Sequence, residues 1–238
     1  MDQFQPRIDD DIFALRPDYH AISIVARRLR LAPAQDIDTY VSDTLQEMDD
    51  SASWQRHHLD AWAQTYTMFG AKPKRTPCSA EALRRRAQRD GMLPHINSLV
   101  NAYNAVSLRY AIPIGAENID AYAGTPRLVR ARGEEPFETV QNGAPFTDTA
   151  EPGEVIWRDE RGVTCRRWNW RQSSRTQVDD ETTNVWILLE ALEPMPRPML
   201  AAAASDLTGL IRAMCPNAVI ELQLVDRHGS STWPGRSA

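Results

Sequence analysis

The sequence predicts a mixed α/β fold, α+β in character, built around a mainly antiparallel sheet. Segments with strand and helix periodicity are intermixed along the chain, and several strand-like segments lie only a hairpin's length apart. The 238 residues, 42% hydrophobic and 25% charged, are enough for one well-buried domain. Residues 19–225 read as that domain, flanked by a loose N-terminal segment at 1–18 and a mobile tail at 226–238.

The elements follow in order. Residues 1–17 are polar and broken by Pro6 and Pro17, which predicts extended or frayed chain. Residues 20–26, H-A-I-S-I-V-A, alternate as a strand. Pro33 to Asp36 open a helix running to Met48. Ser51 or Ser53 caps another, on which Trp54, His58, Trp62, Tyr66 and Phe69 form one aromatic stripe. Such a stripe reads as core, with His58 a packed histidine. Gly70 ends that helix, and a proline-punctuated loop leads to a basic helix at 80–89, closed by Gly91.

After Pro94, I-N-S-L-V-N-A-Y-N-A-V-S-L-R-Y reads as a helix whose broad face carries Leu99, Val100, Tyr103, Val106, Ser107 and Tyr110. Asn97 suits its cap. Asn104 falls among the buried-face residues, so its amide needs an interior partner or a ligand. A-I-P-I-G-A-E-N-I-D reads as a loop. Residues 127–132 and 154–159 alternate as strands across a Gly/Pro/Thr-rich connection, residues 184–192 form a buried strand, and a helix at 199–214 precedes a last strand at 218–225.

The stretch G-V-T-C-R-R-W-N-W-R-Q, residues 162–172, organises the rest. Val163 and Cys165 point one face inward, but Trp168 and Trp170 fall on the opposite parity, so the chain must bulge or bend near Arg166-Arg167. Aromatic faces flanked by guanidinium groups suit a nucleobase or a phosphate-bearing ligand. The ordinary alternative is a core strand with a solvated arginine face.

No run reaches the roughly 18 apolar residues of a membrane span, and the acidic start lacks the pattern of a secretory signal, so the expectation is a soluble, cytoplasmic protein without membrane contact. Cys78, Cys165 and Cys215 have neither disulfide nor metal spacing; they read as reduced thiols, the last two buried. Neither a P-loop, G-x-S-x-G, H-E-x-x-H nor G-x-G-x-x-G occurs, and no cofactor or metal site is predicted. The net charge of −5 argues against an indiscriminate nucleic-acid coat. Its distribution is uneven: Lys72, Lys74, Arg75, Arg84, Arg85, Arg86 and Arg89 face only Glu81, and a second arginine-rich region spans 158–175. The two could form one basic surface, or each could be a solvated face paired with acids elsewhere.

The segment I-N-S-L-V-N-A-Y-N-A-V-S-L-R-Y-A-I-P-I-G resembles the helix and following loop of the B3/B4 module, the tRNA-editing domain in the β subunit of bacterial phenylalanyl-tRNA synthetases. D-D-E-T-T-N-V resembles that module's acidic turn and strand start. Together with C-R-R-W-N-W-R-Q, the helix is similar to the freestanding B3/B4 proteins, over residues 19–192 and most strongly from Lys72 onward. The resemblance implies the B3/B4 tRNA-editing-domain fold and an interaction with tRNA. Asn104 matches an asparagine that lines the editing pocket, and Tyr103 stands where the family usually has a threonine. Ile112-Pro113-Ile114-Gly115 replaces a loop containing a histidine, and W-N-W-R-Q replaces a Gly-Gly turn.

The implied function is a trans-editing aminoacyl-tRNA deacylase without aminoacylation activity, acting by ester hydrolysis with no protein nucleophile. Its partner would be the acceptor end of an aminoacylated tRNA. Lys72, Lys74, Arg75, Arg84, Arg85 and Arg86 would hold the acceptor stem, and Trp168 or Trp170 would stack on the terminal adenosine. Asn104 and Asn169 would orient the amino acid or the water, with Tyr103, Gly115, Arg167, Arg171 and Gln172 lining the pocket. The alternatives are a non-catalytic tRNA- or RNA-binding module, and a small-molecule binder or enzyme on the same fold.

Overall fold

The computed structural model describes residues 4–31, 35–48 and 52–233. The fold is mixed α/β with antiparallel pairing dominant, as expected, and among the described residues the strands form two five-stranded sheets and a hairpin. One sheet has the order β12-β11-β2-β10-β3, formed by Gly229–Thr232, Val219–Asp226, His20–Arg27, Val185–Ala191 and Ile114–Asn118. The other runs β1-β4-β7-β8-β9, formed by Arg7–Ile8, Arg127–Arg130, Val155–Arg158, Val163–Arg166 and Arg171–Gln172. Among the described residues, the one parallel strand pair is β1 with β4.

Strand β10 explains why the first sheet is the core. All its residues are buried, and its alternation feeds two faces. Val185, Ile187 and Leu189 join Ile22 and Ile24 of β2 under three helices: α2 (Gln35–Glu47), α5 (Ser98–Tyr110) and α6 (Arg197–Met214). Trp186 and Leu188 turn the other way. They pack with Trp157 and Cys165 of the second sheet and with Leu59, Trp62 and Tyr66 of α3, Ser53–Met68. The helix α4, Ser79–Asp90, follows and ends at Gly91, where φ of 68° favours glycine.

His58 of α3 is packed, as its stripe implied. Its Nδ1 donates to the Ala111 carbonyl at 2.9 Å, leaving Nε2 to accept from Trp62 Nε1 at 3.1 Å and the Leu192 amide at 3.2 Å. Asn97 caps α5 by accepting from the Val100 amide at 2.9 Å.

Several expectations are corrected. The N-terminal segment is not loose from residue 4 onward: Phe4 stacks edge-on against Tyr122 and Trp186, and the short helix α1 (Asp10–Leu15) buries Ile12. Residues 114–118, read as a loop, form β3, because Pro113 and Gly115 obscured the pattern while pairing with β10 satisfies the backbone. The connection at 131–153 contains a hairpin, β5 (Pro136–Gln141) and β6 (Ala144–Thr149), around Asn142-Gly143 with φ of 53° and 78°. Of the predicted tail, Gly229–Thr232 return as β12 along β11, and residues 234–238 lie outside the described residues. Ser51 and Pro33 lie outside the described residues; the cap of α3 falls on Ala52 instead.

Candidate functional site

The phase change in the tryptophan stretch is a tight turn rather than a bulge. Cys165 and Arg166 pair with Gln172 and Arg171, so residues 167–170 reverse the chain. Arg167 and Trp168 take φ of 47° and 68°, the left-handed region that costs bulky residues of order 1–3 kcal/mol each. A buried ion pair holds them there. Arg166 donates twice to Glu154, at 3.0 and 2.7 Å, and the Arg167 amide donates to the same carboxylate at 2.9 Å. The Trp168 amide is fixed to the Val155 carbonyl at 2.7 Å. Trp168 is thereby driven inward, 0% exposed, edge-on to Tyr19 and Trp62 at 5.1 and 5.3 Å. Trp170 stays half-buried, with the Arg167 guanidinium 4.2 Å over its ring.

Beneath the turn lies a cavity of about 160 Å³. Helix α5 contributes Tyr103 and Asn104, β3 contributes Gly115 and Glu117, and β10 contributes Leu188 and Glu190. Residues 168–172 close it from the turn, and Ser79 from the start of α4. Asn104 is half-buried, and among the described residues its amide has no hydrogen-bond partner. Gly115 permits the close approach of Gln172: a Cβ would sit 3.1 Å from Nε2, which donates to the Ala116 carbonyl at 2.9 Å.

Two acidic side chains in the wall are buried. Glu117 accepts from the Tyr122 hydroxyl and, at 3.0 Å, from Thr176. Glu190 accepts from Tyr19 at 2.8 Å, Asn169 at 3.0 Å and Trp157 at 3.3 Å. Burial pushes each carboxyl up to about 7, against the pull of these donors. A carboxyl so placed exchanges its proton near neutrality or pairs with a cation brought by a ligand.

The sequence-predicted residues divide accordingly. Tyr103, Asn104, Gly115, Trp168, Asn169, Trp170, Arg171 and Gln172 meet at the cavity. Arg167 does not; it faces an adjoining hollow with Lys72, Arg75 and Glu151. Trp168 offers no free ring face for stacking, since its burial between Tyr19 and Trp62 uses it as wall, which leaves Trp170 for that role. Both hydrogen-bonding ends of Asn169 are engaged: it accepts from Tyr66 at 2.8 Å while donating to Glu190. The basic regions are only partly shared. Arg85 pairs with Glu81, Arg86 with Asp90, and Arg84 reaches the Met48 carbonyl, whereas Lys72, Lys74, Arg75, Arg167 and Arg171 have no ion pair among the described residues.

Sequence reasoning missed Glu117 and Glu190. The available signal was an acid inside an apolar run, V-W-I-L-L-E-A-L, since a buried strand carries a carboxyl only where something satisfies it. Cys78, Cys165 and Cys215 are all buried. No group of histidine, cysteine and acidic residues among the described residues could hold a metal ion, and no helix there is long and apolar enough to cross a membrane.

The model of the B3/4 domain family matches residues 61–215. No curated protein matches. Among solved structures, an N-terminal fragment of the phenylalanyl-tRNA synthetase β subunit from Pyrococcus horikoshii aligns at 14% identity and a TM-score of 0.48, over 97% of this chain and 54% of that one. The chain thus spans about half the length of that neighbour.

Proposed function

Because the chain belongs to the B3/4 domain family, we propose that it binds tRNA and that its cavity receives the aminoacyl group at the acceptor end and hydrolyses the ester. The observation that carries this reading is Asn104: a half-buried amide without a protein partner, in the wall of a cavity whose mouth holds Trp170 under the Arg167 guanidinium. Trp170 stacks on the terminal adenine, and Arg167, Lys72 and Arg75 receive the phosphates of the strand leading to it. Asn104 orients the ester or the attacking water. An amide is no base, so a vicinal hydroxyl of the terminal ribose assists proton transfer, and catalysis rests on orientation and stabilisation of the oxyanion. Such a site needs no protein nucleophile and no cofactor.

Incubation with a panel of mischarged tRNAs tests the reading: ester loss above background is expected for at least one. Binding that weakens with salt but gives no turnover with any tRNA would instead mark a non-catalytic RNA-binding module. Affinity that is flat between low and physiological salt removes tRNA as the ligand.

A further inference from the structure

We infer that the cavity selects an aminoacyl group with a basic side chain, so that the substrate class is a lysine-, ornithine- or arginine-type ester. This rests on the deacylase reading above for the ester itself, and on the cavity for its selectivity.

Glu117 of β3 stands opposite Trp186 of β10, and Glu190 lies four residues further along that strand with the same parity. Both carboxyls therefore face the cavity from one sheet surface but toward its two ends, with backbone positions about 13 Å apart at the usual rise of a strand. Neither has a salt-bridge partner: each is hydrogen-bonded by neutral donors with acceptor capacity left over, and Arg175, itself paired with Asp159, acts on Glu117 only through space. The one cation in the wall, Arg171, is exposed. Trp157 and Trp186 supply the remaining large surfaces, and indole faces attract cations.

An aminoacyl ester brings one cation of its own, the α-ammonium. That satisfies one carboxyl. The other, 3–4% exposed like its partner, is held ionised only if the side chain carries a second positive group, and otherwise keeps its proton. A tyrosine or serine side chain would offer a hydroxyl to one carboxyl and leave the pair one charge short. An aliphatic side chain would leave it facing hydrocarbon, the costlier arrangement.

A second observation points independently to a ligand. Ser79 Oγ, in the cavity wall, is buried without a partner, and Trp168 Nε1, 0% exposed in the same wall, is left with only weak contacts to Tyr19 and Glu190. With Asn104 these are donors awaiting an acceptor, which the ester oxygens provide while the two carboxyls take the cations.

The test uses the whole chain and free methyl esters, so that it does not depend on tRNA. Quenching of the cavity tryptophans is titrated with the methyl esters of lysine, arginine, norleucine and tyrosine. The expected result is binding of the lysine or arginine ester at least about tenfold tighter than norleucine, whose α-ammonium is identical. In at least one of Glu117→Gln and Glu190→Gln, that preference collapses while norleucine binding persists. Equal binding of norleucine or tyrosine, no binding of either basic ester, or a preference surviving in both variants overturns the inference. Basic-ester selectivity without hydrolysis of any charged tRNA would sink the deacylase reading and leave the cavity's selectivity standing. Hydrolysis of a tyrosyl- or aliphatic-tRNA in preference to a basic one would do the reverse.

Discussion

Asn169 donates its amide to Glu190 across 3.0 Å while accepting the Tyr66 hydroxyl at 2.8 Å, joining the tryptophan turn to the central strand β10 and to helix α3. Tyr19 and Trp157 donate to the same carboxyl, so three elements meet on one buried acid. Removing Asn169 leaves a phenol and a carboxyl short of partners. Asn169→Ala should cost about 1–3 kcal/mol of stability, read as a lower urea midpoint with unchanged slope. An unchanged midpoint would show that water replaces the amide at no cost, and that the network does not hold the turn.

Asn104 should behave oppositely. Its amide has no partner to lose among the described residues, so Asn104→Ala should leave the melting temperature within the change expected of a neutral surface substitution, about 0.5 kcal/mol. Deacylation should fall on the order of a hundredfold, as for loss of one positioned donor. A variant that unfolds readily while retaining its activity in proportion to folded protein would make Asn104 structural.

The contrast between these two asparagines marks how far the sequence could be read. The helix carrying Asn104 was legible from its periodicity and cap, and with it the argument that an amide on the buried face needs something to bind. Asn169 sits in a turn whose direction depends on a partner distant in sequence, Glu154, and no local pattern encodes that contact. For the same reason Trp168 looked like a stacking platform: parity separates it from Val163 and Cys165, but only the left-handed backbone turns its ring inward. The strand β3 escaped notice because its support is β10, some 70 residues away, and propensity at Pro113 and Gly115 argues for loop. Missing it also hid Glu117.

The Arg166–Glu154 pair should prove essential to the turn. Side-chain exposures of 5% and 4% put both ions in the interior, where losing Arg166 leaves Glu154 without a cation and losing Glu154 leaves Arg166 only the half-exposed Asp148. Glu154→Gln also weakens the acceptor of the Arg167 amide. The expected cost is about 3–5 kcal/mol, accompanied by a shift in tryptophan emission as Trp168 and Trp170 are released. Replacing Arg166 and Glu154 together by Met and Gln should recover part of that stability without restoring the emission. Should Glu154→Gln alone leave the spectrum unchanged, backbone contacts such as Trp168 to Val155 suffice to hold the turn.

The pH dependence of stability should run opposite to that of an ordinary ion-paired protein through the mildly acidic range. Glu117 and Glu190 titrate at about 7 in the folded chain against an ordinary 4.5, so between these values the folded state holds protons that the unfolded state has lost. Stability contributed by each is complete below about 4.5 and disappears as pH rises through 7. His58, lowered by burial from 6.5 to about 4, acts in the reverse sense, adding stability as pH rises from 4 to 6.5. Two carboxyls outweigh one imidazole up to 6.5, and above it they act alone. Asp18, Glu135 and Asp159 are held low, so they matter only at still more acid pH. The melting temperature should therefore fall from pH 5 to 7.5, most steeply between about 6 and 6.5, where the imidazole's opposition fades while both carboxyls still hold most of their protons. Substituting both Glu117 and Glu190 by Gln leaves His58 as the dominant group, and the slope between pH 4.5 and 6.5 should change sign. A melting temperature that rises across that range in the unsubstituted protein would mean that both carboxyls remain ionised in the fold.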